Sequence, residues 1–313
     1  MTGPGPVFYM KKFNNKIGLA LGGGAARGWA HFGIIRALRE QGIQPDIICG
    51  TSIGALVGAS YVTNCMEDFE KWVLGLRKRD IAGMLDFTLG GGLIEGDRLM
   101  NFLRQDMSID IPIEQLDIPF AAIATDLETG NEVWFQEGDL LDAVRASISL
   151  PGLFTPVCLK HKWLADGALV NPVPVSVCRA LGAEQVIAVD LNAYIIGKSF
   201  RKEPAKNTQS KSSSISEITD NNLLKWIKNT LSSVINSDNK PNDEPGLFDV
   251  MNSAIIIMQD RITRTRMAGD PPDVLLRPNL SDIGMLDFHR AKEAIDKGMA
   301  CVTRHIPSLD ILE

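Results

Sequence analysis

Pro45-Asp46-Ile47-Ile48-Cys49-Gly50-Thr51-Ser52-Ile53-Gly54 is the stretch on which the fold turns. Its first half is a short apolar run entered through Pro45, the pattern of a buried strand, and the chain after Gly54 reads as a helix from Ala55 to about Asn64. Gly50-Thr51-Ser52-Ile53-Gly54 is therefore a G-x-S-x-G sequence placed between a strand and a helix, not an isolated match. The flanking glycines permit a sharp, strained turn where a side chain would strike a neighbouring strand or helix. A serine at the tip then projects clear of the sheet, and the N-terminus of the next helix favours negative charge developing there. Ser52 is the candidate nucleophile, with Gly50 and Gly54 as the glycines of its turn.

Upstream, Ile17 to Leu21 is another short apolar run, followed by Gly22-Gly23-Gly24 and a helical spacing of apolar residues from about Arg27 to Gln41, closed by Gly42. Two strand–helix units thus stand side by side. Downstream, Phe120–Ala124 and Val186–Leu191 read as further buried strands, Met251–Met267 as a buried helix and Val274–Leu276 as a short last strand. The expected architecture is an α/β layered fold with a largely parallel sheet.

Composition narrows the possible functions. A net charge of −6, without a basic stripe, excludes an ordinary nucleic-acid binder. The five cysteines are scattered and odd in number, so neither a zinc site nor a disulfide framework is expected and a reducing, cytoplasmic compartment fits best. The N-terminus lacks the pattern of a signal peptide, and residues 1–16 read as a disordered leader. No apolar run reaches the roughly 18 residues needed to cross a bilayer, so any membrane contact should be peripheral, at the inner face.

Acyl-transfer chemistry also needs donors for an oxyanion and a base for the serine. Gly22-Gly23-Gly24-Ala25-Ala26-Arg27-Gly28 can present backbone N–H groups because glycine leaves the approach open. It fails the dinucleotide fingerprint, which would need glycine at Arg27, and lacks the Gly-Lys-Ser/Thr of a phosphate-binding loop. Arg27 either anchors this loop or meets an anionic head group. For the base, the chain order of an ordinary triad points to His289 or His305. His289 reads as part of a helix start capped by Asp287, His305 lies near the C-terminus, and His31 reads as a packed or hydrogen-bonded helix residue. Asp166 follows the apolar segment Trp163-Leu164-Ala165 and precedes Gly167, so a tight turn would point its carboxylate outward, although Asp-Gly alone is usually only a turn.

Three ordered motifs, Gly23-Gly24-Ala25-Ala26-Arg27-Gly28, Gly50-Thr51-Ser52-Ile53-Gly54 and Asp166-Gly167-Ala168, together resemble the patatin-like phospholipase family, especially its bacterial branch similar to neuropathy target esterase. The resemblance runs from Ile17 to about Arg304 and includes Ala146-Ser147-Ile148-Ser149-Leu150-Pro151-Gly152. It implies a three-layer sandwich about a mostly parallel central sheet with a nucleophile elbow, and a serine carboxylic ester hydrolase acting on fatty acyl esters of phospholipids or lysophospholipids. In that scheme Asp166 takes the Ser52 proton without a histidine, the Gly23 and Gly24 amides hold the oxyanion, an acyl-enzyme forms, and no cofactor or metal is needed. An adaptor on the same fold with weak hydrolysis and a Ser/His/Asp esterase are the competing expectations.

The core is expected over residues 17–196 and is completed by 248–313. Between them, residues 197–247 read as a mobile insertion rich in Ser, Lys and Asn, holding one amphipathic helix, Leu223–Ile235. Eight basic residues against six acidic ones in that insertion, with Trp226 at the edge of the apolar face, make the helix a candidate lid or peripheral membrane anchor.

Overall fold

A computed structural model of the chain describes residues 15–78, 96–107, 109, 111–195, 247–309 and 312. The expected leader up to residue 14 and the expected amphipathic helix Leu223–Ile235 lie outside the described residues.

Among the described residues eight strands form one sheet: β1 (Ile17–Leu21), β2 (Ile47–Thr51), β3 (Phe120–Asp126), β4 (Glu132–Phe135), β5 (Val157–Leu159), β6 (Lys162–Asp166), β7 (Gln185–Val189) and β8 (Val274–Leu276). Their order is β5-β6-β3-β2-β1-β7-β8, with β4 also paired to β3. The run β3-β2-β1-β7-β8 is parallel, whereas β4 and β6 both pair with β3 antiparallel. Parallel strands buried on both faces need apolar side chains on both, and every residue of β1, β2 and β3 is buried.

The helices are α1 (Ala30–Glu40), α2 (Ile53–Val62), α3 (Met66–Leu74), α4 (Asp97–Gln105), α5 (Leu140–Ser147), α6 (Val175–Ala180), α7 (Leu247–Gly269) and α8 (Ala291–Leu309). They cover the two faces of the sheet separately. Leu19, Leu21 and Ile48 pack with Phe32, Leu38, Val57 and Ile295 of α1, α2 and α8 in one core. Ala20, Ile47 and Cys49 point the other way and pack with Val175, Val177 and Cys178 of α6. The alternation of side chains along each strand thus yields the three layers.

Several boundaries depart from the sequence reading, those of the strands at Val186 and Phe120 by one or two residues. The helix expected from Arg27 begins as a 3₁₀ turn over Ala25–Trp29 before α1, and α2 starts at Ile53, directly after Ser52, not at Ala55. The helix expected over Met251–Met267 spans Leu247–Gly269. In its Met258–Gly269 portion it buries Gln259, Asp260 and Thr263 while Met258 is exposed, so its apolar spacing did not mark the covered face. Internal contacts divide the chain into one unit of residues up to Tyr194 with Met258–Glu313, and a second of Ile195–Ile257, a division that falls within α7. Among the described residues no helix is long and apolar enough to cross a membrane.

Candidate active site

Ser52 stands at the C-terminal edge of the sheet with φ 56° and ψ −126°, in the positive-φ region that serine seldom occupies. The elbow is held shut by close backbone approach. A Cβ on Gly50 would lie 2.4 Å from the Ala55 backbone, and one on Gly54 would lie 2.1 Å from the Leu21 carbonyl oxygen. The Ser52 carbonyl accepts from the amides of Ala55 and Leu56, while its own amide donates to Ser147 Oγ at 2.8 Å. Ser147 Oγ in turn donates to the Ile123 carbonyl at 2.6 Å, tying the elbow to β3.

The register of β3 explains how a residue more than a hundred positions away reaches this hydroxyl. Thr51, the last residue of β2, pairs with Ile123; where β2 turns away, β6 takes its place along β3, pairing Asp166 with Ala124. Asp166 therefore arrives beside Ser52, and Ser52 Oγ donates to Asp166 Oδ2 at 2.6 Å. The other carboxylate oxygen accepts from the Ala168 amide at 2.8 Å, the Asp166 amide donates to the Ser149 carbonyl at 3.0 Å, and Thr125 Oγ1 donates to the Asp166 carbonyl at 2.8 Å. Gly167 lets the chain turn here because a Cβ would meet the Ile123 carbonyl oxygen at 2.2 Å.

Asp166 is 1% exposed. Burial raises its pKa to about 7, against the opposing pull of the hydrogen bonds from Ser52 and Ala168. A carboxylate so placed is a far better proton acceptor at neutral pH than one in water.

The glycine loop lies against Ser52: a Cβ on Gly23 would be 3.4 Å from the Ser52 Cβ. The expected pair of donors needs correction, because the Gly23 amide donates to the Pro172 carbonyl at 3.0 Å. The Gly22 and Ala26 amides are likewise bonded, to Val189 and Met285, and that of Arg27 to Gly24. Among the described residues, the loop amides without a protein acceptor are those of Gly24 and Ala25. Arg27 is buried and its Nε donates to the Gly24 carbonyl at 3.1 Å, so it anchors the loop. Burial lowers its pKa to about 10, with Asp190 opposing.

None of the four histidines is bonded to Ser52 or Asp166. His31 is fully buried on α1, its Nε2 donating to the Gly22 carbonyl at 2.8 Å, and burial lowers its pKa to about 4. It is the packed, hydrogen-bonded helix residue that the sequence suggested. His305 bonds the Cys301 carbonyl of its own helix, and His161 occupies the positive-φ turn between β5 and β6. His289 lies in a 3₁₀ turn, Phe288–Arg290; Asp287 precedes it without a side-chain cap and instead accepts from the Gly284 amide and pairs with Arg290.

An apolar cavity opens at the serine, lined by Ala25, Trp29, Ile53, Leu56, Trp72, Leu99, Leu150 and Phe154 among others. Among the described residues of that lining, Ser52 carries the only hydroxyl and no side chain is charged. Such a wall suits a hydrocarbon chain attached to a reacting carbonyl. Among the described residues no cluster of His, Cys, Asp or Glu could hold a metal ion.

Sequence reasoning missed Thr125, Ser147, Ser149 and Asn171, all buried polar residues that brace the pair. Ser147 and Ser149 did stand in the Ala146–Gly152 segment that carried part of the resemblance. Their alternation with the apolar Ala146, Ile148 and Leu150 was the available signal.

Comparison with known proteins gives a consistent set of likenesses. The family model for patatin-like phospholipase matches residues 19–179. The chain is 33% identical over 349 aligned residues to an uncharacterised NTE family protein of Mycobacterium tuberculosis, covering 99% of this chain and 97% of that protein. It is 36% identical over 186 residues to neuropathy target esterase of Drosophila melanogaster, a match to 57% of this chain and 14% of that protein. Among solved structures, VipD from Legionella pneumophila aligns with a TM-score of 0.49 and 14% identity over 95% of this chain and 68% of that chain.

Proposed function

Since the chain belongs to the patatin-like phospholipase family, a family of lipid hydrolases, we propose that it cleaves fatty acyl esters of phospholipids or lysophospholipids with Ser52 as nucleophile and Asp166 as its base. The observation that carries this reading is the 2.6 Å hydrogen bond from Ser52 Oγ to a buried carboxylate.

In the first step the Ser52 proton passes to Asp166 Oδ2 as Oγ bonds to the ester carbonyl carbon. The carbonyl oxygen takes up the displaced electron pair and is met by the free amides of Gly24 and Ala25, close to the N-terminus of α2. Collapse breaks the ester C–O bond, and the leaving alkoxide recovers the proton from Asp166 to depart as the alcohol. The acyl-enzyme at Ser52 is then attacked by water, with Asp166 again taking the proton, and the fatty acid leaves as the Ser52 hydroxyl is restored. The acyl chain lies in the apolar cavity throughout, which supports an acyl lipid and disfavours a small polar ester.

The test uses a short-chain ester and a serine-directed phosphonate. Ser52→Ala and Asp166→Asn should each lower kcat by about 10³ or more with the fold retained, and mass mapping should find the phosphonate on Ser52 of the unaltered protein. Turnover by Ser52→Ala near the original rate, or labelling elsewhere, overturns the reading.

A further inference from the structure

Glu132, the first residue of β4, collects donors from three separate segments. Its Oε1 accepts from Trp134 Nε1 at 2.6 Å and from Asn171 Nδ2 at 2.6 Å, and its Oε2 pairs with the Arg266 guanidinium of α7. The Glu132 side chain is 16% exposed and Asn171 is buried, so the bond between these two is partly shielded from water.

Asn171 closes the turn that begins at Asp166. Its amide donates to the Gly167 carbonyl at 2.8 Å, beside the Val170 amide on the same oxygen, and its own carbonyl accepts from Thr51 Oγ1 at 2.9 Å. Thr51 immediately precedes Ser52. On β3, Thr125 pairs with Glu132 across the ladder and reaches the Asp166 carbonyl with its hydroxyl. Side-chain alternation places Ile123 and Thr125 on one face of β3, together with their partners Thr51 and Glu132. Glu132 thus shares a face of the sheet with Thr51 and Thr125, whose hydroxyls donate to the Asn171 and Asp166 carbonyls, and it does not line the apolar cavity.

We propose that Glu132, braced by Arg266, is a positioning residue: it fixes Asn171, and through Asn171 holds the Gly167–Asn171 turn and Thr51 so that Ser52 Oγ and Asp166 Oδ2 stay in contact. This rests on the Ser52–Asp166 reading above. Loss of the carboxylate strands the Asn171 amide and the Arg266 charge together, and a displacement of about 1 Å in a reacting pair lowers a rate by as much as 10²-fold.

The experiment is steady-state hydrolysis of a short-chain ester by Glu132→Ala, Glu132→Gln and Asn171→Ser, each well below its Tm, with the Ser52 phosphonylation rate measured in parallel. Glu132→Ala should lose roughly 10- to 100-fold in kcat with KM within about twofold, and phosphonylation should slow equally. Glu132→Gln, which keeps an acceptor for Asn171 and Trp134, should recover most of that loss. Asn171→Ser should fall as Glu132→Ala does, which keeps the test available if the alanine variant fails to fold. A kcat within twofold of the original in folded Glu132→Ala or Asn171→Ser, a change confined to KM, or a glutamine variant no faster than alanine, overturns the proposal. Ser52→Ala separates the two readings: its continued turnover would remove the nucleophile itself, whereas an inactive Ser52→Ala beside an unimpaired Glu132→Ala would remove only the positioning role.

Discussion

The elbow at Ser52 and the turn at Asp166 meet in one hydrogen bond but are held by different kinds of contact. At the elbow, Gly50 and Gly54 sit against Ala55 and Leu21, and the Ser52 carbonyl is capped by amides three and four residues on. At Asp166, the amide, carbonyl and carboxylate reach Ser149, Thr125 and Ser52, and the turn is closed by Asn171 under Glu132. A strained conformation written into neighbouring residues forms wherever the strand and helix form. The Ser52–Asp166 contact, assembled from distant segments, exists only once the whole edge of the sheet has closed.

Gly54→Ala attacks the elbow and should give the larger effect on stability. The new Cβ would stand 2.1 Å from the Leu21 carbonyl oxygen, a backbone atom with little room to move, so a loss of at least about 3 kcal/mol is expected in a denaturant titration. A cost under about 1 kcal/mol would mean that the elbow is not held by this contact.

Asp166→Asn attacks the other turn and should act in the opposite direction. Because burial raises the Asp166 pKa from its ordinary range to about 7, the folded state holds the proton more tightly than the unfolded chain. Stability from this group is therefore fully present below the ordinary carboxylate value and is lost as pH rises through about 7. The asparagine variant does not titrate, so its stability relative to the unaltered protein should improve by about 2–3 kcal/mol between pH 5 and pH 8. Parallel stability curves for the two proteins over that range would place the folded-state pKa of Asp166 below it, near the ordinary carboxylate value.

The same contrast explains what could be read from the sequence. The elbow was legible because glycine spacing, the apolar run of β2 and the following helix all lie within about twenty residues of Ser52. Asp166 was legible as an acid at a tight turn, but its role came through the resemblance, since nothing local to Trp163–Ala168 states that β6 continues the ladder left by β2. The proposed oxyanion donors stand one residue on from the expected pair for a similar reason. Gly23 and Gly24 look equivalent in sequence, and only the Pro172 carbonyl, brought from the far side of the Asp166 turn, takes the Gly23 amide out of use. Glu132 gave no signal, because a glutamate opening a short strand ordinarily faces solvent.

The claim that an aspartate and not a histidine activates Ser52 is tested most directly by the pH dependence of Ser52 phosphonylation. The rate should rise about tenfold per pH unit below an apparent pKa near 7 and level off above it, and the profile should persist in His289→Gln and His305→Gln. His31 cannot supply such a limb, since burial holds its pKa at about 4. A rate independent of pH from 5 to 8, or loss of the limb on replacing either histidine with the fold intact, would contradict the account.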